Sequence, residues 1–72
     1  MNFKEYVAAA IKLLEEKPEA GDYPVVFSAD DEGNAYTPVY YTPSVGNYDA
    51  GEFYTENDCI EHGFTIDTVL IN

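Results

Sequence analysis

Basic side chains are scarce in this sequence and confined to its beginning. It contains no arginine, and its three lysines are Lys4, Lys12 and Lys17. The residues after Lys17 carry eleven carboxylates, from Glu19 to Asp67, and the whole chain has a formal net charge of −11. A surface with this charge repels phosphate and attracts cationic partners. The composition therefore excludes direct binding of nucleic acid and favours a basic protein as the partner.

Cysteine and histidine occur once each, as Cys59 and His62. A single cysteine forms no intrachain disulfide, which favours a reducing, intracellular setting. The three-residue spacing places both side chains on one helical turn, so a thiol nucleophile and a zinc site have to be considered. Two ligands do not make a structural zinc site, and no Lys or Arg nearby lowers the thiol pKa. We expect a half-buried cysteine, a surface histidine and no cofactor.

Long apolar runs are also missing. The longest near the N-terminus is Val7 to Ile11, and the cationic start and cleavage site of a signal peptide are absent. We expect neither export nor contact with a membrane. The 72 residues suffice for one small domain, residues 1–72. An apolar content of 46%, with seven Tyr and four Phe, is too high for a disordered acidic tail, so we expect this domain to fold.

Apolar residues near the start of the chain recur every three or four positions, which predicts an amphipathic α-helix from about Phe3 to Glu16. The apolar stripe comprises Phe3, Tyr6, Val7, Ala10, Ile11 and Leu14. Asn2 and Glu5 have the spacing of a capping box, and Pro18 and Gly21 supply the stop. We expect the stripe to face inward onto the domain's own sheet.

Two extended segments flank an acidic turn. Residues Val25 to Ser28 and Tyr36 to Thr42 have the composition of strands, and the acids Asp30 to Glu32 lie between them. Gly33 can take the positive φ that a tight reversal needs, so we predict a β-hairpin. Pro38 lacks a backbone donor, which makes the second strand an edge strand or requires a bulge.

The rest of the chain predicts a loop, a strand, a short helix and a final strand. Residues Thr42 to Gly51 contain Pro and Gly among small polar residues, as in a loop. Glu52 to Thr55 predicts a short strand, and Thr55 can cap a short helix that ends at Gly63. Ile66 to Ile71 has the apolar content of a more central strand. The predicted fold class is α+β, with the N-terminal helix packed on an antiparallel sheet of three to four strands and a short second helix.

The acidic turn raises the question of a calcium site. Three adjacent carboxylates precede Gly33, but an EF-hand loop aligned on this glycine would need acids at Ser28 and Val39. A solvated hairpin tip is the better interpretation. Carboxylate pairs are too numerous for any one of them to indicate acid–base catalysis, and the chain has no phosphate loop, nucleophile elbow or dinucleotide fingerprint. We therefore do not expect an enzyme.

Tyrosines are frequent in the acidic part of the chain. The five considered for binding are Tyr36, Tyr40, Tyr41, Tyr48 and Tyr54. A stacking platform for single-stranded nucleic acid needs a positive groove, which this composition cannot supply. Tyr mixed with carboxylates suits recognition of a basic protein, because Tyr gives rigid contact area and the charges steer the encounter. The alternative is that these rings complete a small core with their hydroxyls in water.

The segment VVFSADDEGNAYTPVYY, from Val25 to Tyr41, resembles a segment that recurs in small, acidic, mostly uncharacterised proteins of tailed bacteriophages. It covers about a quarter of the chain. The resemblance implies an accessory protein that acts in the cytoplasm of an infected host bacterium, and it brings no catalytic or binding residues with it. Small acidic phage proteins often inhibit host factors, and several do so by imitating DNA.

Charge and resemblance together favour an inhibitor that mimics DNA, with carboxylates replacing phosphates in the basic cleft of a host nuclease, repair enzyme, polymerase or defence complex. The alternatives are a protein-interaction or assembly module with a Tyr-rich face, its acidity serving solubility, and a small calcium-dependent or catalytic protein. A halophilic origin also produces such a composition. The predicted partner-binding residues are Asp30, Asp31, Glu32, Tyr48, Asp49, Glu52, Tyr54, Glu56, Asp58 and Glu61.

Overall fold

The chain begins with the predicted helix. In the computed structural model, which describes residues 1–71, α1 spans Phe3–Glu16. The Glu5 N–H donates to Asn2 Oδ1 at 2.8 Å, and the Asn2 N–H donates to Glu5 Oε1 at 3.4 Å, so the capping box is confirmed. A 3₁₀ helix, Pro18–Asp22, follows directly and reverses the chain.

The predicted first hairpin is present, with shorter strands. β1 spans Val26–Ser28 and pairs antiparallel with β2, Tyr36–Pro38, in a sheet of two strands. The strand predicted to reach Thr42 stops at Pro38. Pairing continues for one more hydrogen bond, from the Val39 N–H to the Val25 carbonyl oxygen at 2.8 Å, and Pro24 before it has no N–H to extend the ladder. Both strands are edges, as the proline predicts.

The central strand of the second sheet comes from a segment predicted to be a loop. β3 spans Ser44–Asp49 and lies between β4, Glu52–Thr55, and β5, Thr68–Leu70, with both pairings antiparallel. The loop predicted over residues 42–51 is therefore wrong. The Ile66 to Ile71 segment supplies an edge strand instead of a central one.

The second helix is confirmed at both ends. α2 spans Glu56–His62, and Thr55 Oγ1 accepts a hydrogen bond from the Asp58 N–H at 3.3 Å. Gly63 ends the helix in the left-handed conformation, with φ of 74°. With two α-helices and antiparallel sheets of two and three strands within residues 1–71, the predicted α+β fold class is confirmed.

The core lies between α2 and the β3–β4 hairpin, away from α1. Cys59 of α2 is 1% exposed, and α2 contacts both strands. The expectation that the α1 stripe is buried is wrong, since Leu14 is 46% exposed. The main contacts of α1 are with the 3₁₀ helix, which occupies the surface next to Leu14. The first turn of α1 also borders an open groove of about 410 Å³, whose far wall is β5 and the residues flanking it.

Gly46 is a point of close packing in the three-stranded sheet. A Cβ atom at this position would overlap the Tyr54 carbonyl oxygen and the Phe53 ring. The absence of a side chain therefore lets the Phe53 ring lie against the backbone of β3. This requirement also explains why the middle of β3 is a glycine. A central strand is usually recognised by β-branched residues at such positions.

The first prediction concerns this packing. Gly46→Ala should lower the free energy of unfolding by about 1–3 kcal/mol, because the ring or the backbone has to move. Gly21→Ala is the matched control: its Cβ would meet Leu14 Cδ2 at an ordinary 3.5 Å. Urea denaturation of both variants checks the difference, and equal midpoints would contradict the packing described.

The β3–β4 turn contains a residue in an unfavourable conformation. Ala50 has φ of 51° and Gly51 has φ of 84°. Two successive positive φ values belong to a type I′ turn, whose twist matches that of the strands it joins. The left-handed region costs a residue with a Cβ roughly 1–2 kcal/mol, and Asn tolerates it better than Ala.

The second prediction follows from this turn. Ala50→Asn should raise the free energy of unfolding by about 0.5–1 kcal/mol, because Asn-Gly is the preferred type I′ pair. Ala50→Val should lower it, since a β-branched residue is least compatible with positive φ. Thermal unfolding followed by circular dichroism checks the order Asn, Ala, Val. Any other order would contradict the turn geometry.

Candidate functional site

The acidic tip of the first hairpin is held together by its own side chains. The Ser28 Oγ–H donates to the Asp30 carbonyl oxygen at 2.7 Å, and the Asn34 N–H donates to Asp30 Oδ1 at 2.8 Å. Gly33 has the predicted positive φ, 73°. The Asp30 carboxylate therefore helps to build the turn as well as carrying charge.

The other two acids of the tip differ in their surroundings. Glu32 Oε2 accepts a hydrogen bond from Asn34 Nδ2 at 3.1 Å, whereas Asp31 makes no polar contact with any other described residue. All three acids of the tip are exposed. The tip thus presents three neighbouring negative charges, of which that of Asp31 is the most accessible to a partner.

A second acidic group lies at the β3–β4 turn. Asp49 and Glu52 are directly opposite each other in the strand register, an arrangement of like charges that destabilises a sheet. The Tyr54 hydroxyl donates to Glu52 Oε2 at 2.9 Å. This hydrogen bond and the charge of Glu52 raise the pKa of Tyr54, with smaller contributions from burial and from the charge of Asp49.

Tyr48 and Tyr54, which were predicted to bind together, lie on opposite faces of this sheet. Tyr48 is opposite Phe53 and Tyr54 is opposite Asn47, and successive side chains of a strand alternate between faces. Tyr48 is 62% exposed, whereas the Tyr54 ring packs edge-on against Phe64 at a centroid distance of 5.0 Å. Tyr48 is therefore available to a partner, and Tyr54 serves the protein's own packing.

The carboxylates of α2 belong to the same part of the fold as Asp49 and Glu52. Glu56, Asp58 and Glu61 are all exposed, and α2 packs against β3 and β4. The first two of these acids lie in the first turn of the helix, where negative charge is favoured by the helix dipole. They stabilise α2 and remain accessible at the same time.

The hairpin tip and the Asp49 to Glu61 region are not joined into one patch. The tip belongs to the two-stranded sheet, and the second region belongs to the three-stranded sheet and α2. Among residues 1–71, no extended contact links these two parts, and the molecule measures 43 × 26 × 20 Å. The predicted binding residues therefore form two separate acidic surfaces, and the lysines that could neutralise them lie on α1 or directly after it.

Tyr36 is an aromatic neighbour of the tip that the predicted site omitted. It is 65% exposed, and a Cβ atom at Gly33 would lie 3.2 Å from its hydroxyl oxygen. The pairing of Tyr36 with Ser28 places its ring beside the turn. The hairpin pattern alone would have identified this position.

The Tyr-rich segment is exposed to solvent. Tyr40 and Tyr41 are each 74% exposed, and their rings meet edge-on at a centroid distance of 6.5 Å. Of the five tyrosines considered for binding, all of them in the described part of the chain, Tyr54 alone fits the interpretation that these rings complete the core. The other four contribute aromatic surface that a partner can contact.

Cys59 and His62 have separate structural surroundings. The Cys59 Sγ–H donates to the Tyr54 carbonyl oxygen at 3.6 Å, and burial, followed by the charges of Asp58 and Asp67, raises the pKa of the thiol. Cys59 is thus fully buried, where a half-buried residue was expected. The His62 ring stacks on Phe64 at 5.7 Å. Residues 1–71 contain no group of three side chains that could hold a metal ion.

Comparisons with known proteins leave the function to be argued from these surfaces. Protein-family models, curated proteins and solved structures give no match to the chain. Within the described residues, the helices are too short and too polar to cross a bilayer. The resemblance to phage proteins stays a prediction.

The third prediction concerns the Tyr54 hydroxyl. Glu52→Gln should lower the pKa of Tyr54 toward its ordinary value of 10.0, because it removes the charge that disfavours the phenolate. A raised folded pKa stabilises the fold below the unfolded value and loses that contribution as pH rises, so the variant should lose less stability above about pH 10. Asp49→Asn, which removes the weakest contribution, should shift the pKa less. NMR titration of the Tyr54 ring measures both, and equal shifts would contradict the assignment.

Proposed function

We propose that this chain is an acidic inhibitor that binds a basic, nucleic-acid-handling protein of a host bacterium, with its carboxylates replacing the phosphates of DNA. The observation that carries the proposal is the segregation of charge in the fold. The three lysines lie on α1 or at its end, whereas the hairpin tip, the β3–β4 turn and α2 carry carboxylates and neither Lys nor Arg. A basic cleft would therefore meet a purely anionic surface over most of the molecule.

The amount of negative charge supports the imitation of DNA. The eleven carboxylates after Lys17 belong to a molecule whose longest dimension is 43 Å, and no Lys or Arg lies among them. The two separate acidic surfaces would contact two parts of an extended basic cleft.

The mechanism would be competition for that cleft. Exposed carboxylates on the hairpin tip and on α2 steer a basic target toward the protein, and electrostatic steering raises association rates most at low salt. Occupation of the cleft then excludes DNA. No chemical step on the target is involved.

The exposed tyrosines favour a second candidate function, a protein-interaction module. Tyr36, Tyr40 and Tyr41 are 65–74% exposed on or directly after the acidic hairpin. Tyr supplies rigid contact area and is frequent among residues that dominate binding energy. In this alternative, affinity comes from the rings and depends weakly on salt, whereas DNA mimicry requires a strong dependence.

The fourth prediction tests the tip. Asp30→Asn, Asp31→Asn and Glu32→Gln together keep oxygen acceptors for both hydrogen bonds from Asn34, so the turn should be preserved. Association with the target should slow by about tenfold at low salt, and the salt dependence should flatten, because three steering charges are lost. Competition with DNA should weaken in parallel.

The experiment begins by identifying proteins that the immobilised chain retains from bacterial lysate, and then measures association and DNA competition with the purified target. The matched control changes Glu15, Glu16 and Glu19 to Gln, which removes the same charge from the other end of the chain. Mimicry through this tip is contradicted if the triple tip variant associates with the target and competes with DNA as well as the parent does. It is also contradicted if the target has no basic nucleic-acid site. The Tyr-rich module would then be the better account.

A further inference from the structure

This chain leaves more surface in solvent than its size predicts. Its accessible surface is 6102 Å², whereas a folded monomer of 8.0 kDa exposes about 4,500 Å². The Cα radius of gyration is 14.6 Å, compared with about 11 Å for a compact domain of this length. The excess of roughly 1,600 Å² is about twice the 800 Å² that one partner buries in a stable interface.

Part of the exposed apolar surface lies on α1. Six large side chains of this helix are each between 38% and 51% exposed: Phe3, Tyr6, Val7, Ile11, Leu13 and Leu14. Successive residues of an α-helix are about 100° apart around its axis. Viewed down the axis, the apolar side chains form a continuous arc of about 200°, with Ala9 at one edge and Ile11 at the other. The 3₁₀ helix lies against part of this face near Leu14 and leaves the rest open.

The middle of α1 has a shallow apolar groove. A groove of about 300 Å³ runs along it, lined by Met1, Tyr6, Ala9, Ala10 and Leu13. The two alanines form a floor of small side chains, over which another helix can approach closely. Tyr6 lies one turn before the two alanines, and Leu13 lies one turn after them.

Charge favours a second copy as the occupant of this face. Residues 1–17 contain three Lys and three Glu and are therefore neutral, so the formal charge of −11 belongs to the remaining residues. Two copies can therefore bring their α1 helices together without placing net negative charge against net negative charge. The hairpin tip and α2, which carry carboxylates, would repel the same surfaces of another copy.

We propose that the apolar face of α1 binds the same face of a second copy, in a two-fold symmetric pair of antiparallel helices. If the axis passes between Ala9 and Ala10, Tyr6 lies opposite the Leu13 of the other copy. Lys4, Ala8 and Glu15 share the other side of the helix and remain outside the contact.

The first test compares two identical substitutions on α1. Ala10→Glu adds a charge to the apolar face, and Ala8→Glu adds the same charge to the polar side of the same helix. By sedimentation equilibrium at on the order of 100 µM, the parent and Ala8→Glu should have twice the 8.0 kDa chain mass, and Ala10→Glu should be monomeric. Added salt should strengthen the dimer, since it screens the repulsion between two anionic chains.

The second test removes an apolar contact without changing the charge. Leu13→Asn should weaken the dimer by about tenfold or more, whereas Ala8→Asn, on the polar side of the same helix, should leave its affinity nearly unchanged. Circular dichroism should show equal helix content in all variants. A parent that is monomeric at every salt concentration overturns the proposal, and so does a dimer that survives Ala10→Glu or dissociates equally with Ala8→Glu. Loss of helix in Ala10→Glu with a monomeric parent would show that α1 packs on its own chain instead.

Discussion

Repulsion among carboxylates is the constraint on which the rest of this structure depends. A small chain with few buried residues has little apolar burial to set against its charge, so its turns and helix ends use the carboxylates as structural groups. Asp30 accepts a bond that closes the hairpin tip, Glu32 and Glu52 each accept a side-chain hydrogen bond, and two acids of α2 complement its dipole. These carboxylates thereby stabilise local structure and remain exposed at the surface of the protein.

Local signals predicted the elements that local chemistry determines. The Asn2 capping box, the Thr55 cap, the Gly63 stop and the turn at Gly33 each depend on a few neighbouring residues, and all four are found where the sequence places them. β3 was missed because its centre is Gly46, a residue selected by the Phe53 ring that approaches from the next strand. Such a requirement arises from pairing between segments, so a pattern within one segment cannot reveal it.

In the candidate site, too, the sequence predicted the features that depend on single residues and missed those that depend on strand pairing. The sequence identified the acidic tip and the exposed carboxylates of α2, because charged side chains are exposed almost wherever they occur. It could not separate Tyr48 from Tyr54, because their faces depend on the register of β3 and β4. The sequence also could not predict that the apolar stripe of α1 is exposed, because periodicity predicts an apolar face and does not say what covers it.

The buried thiol of Cys59 reports on local opening of the fold. Cys59 is enclosed where α2 meets the β3–β4 hairpin, so a thiol reagent can reach Sγ only when this region opens. The rate of its modification, compared with that of an unprotected cysteine, therefore measures the free energy of local opening at the three-stranded sheet. Because this is the single cysteine of the chain, the signal comes from one place without any engineered label.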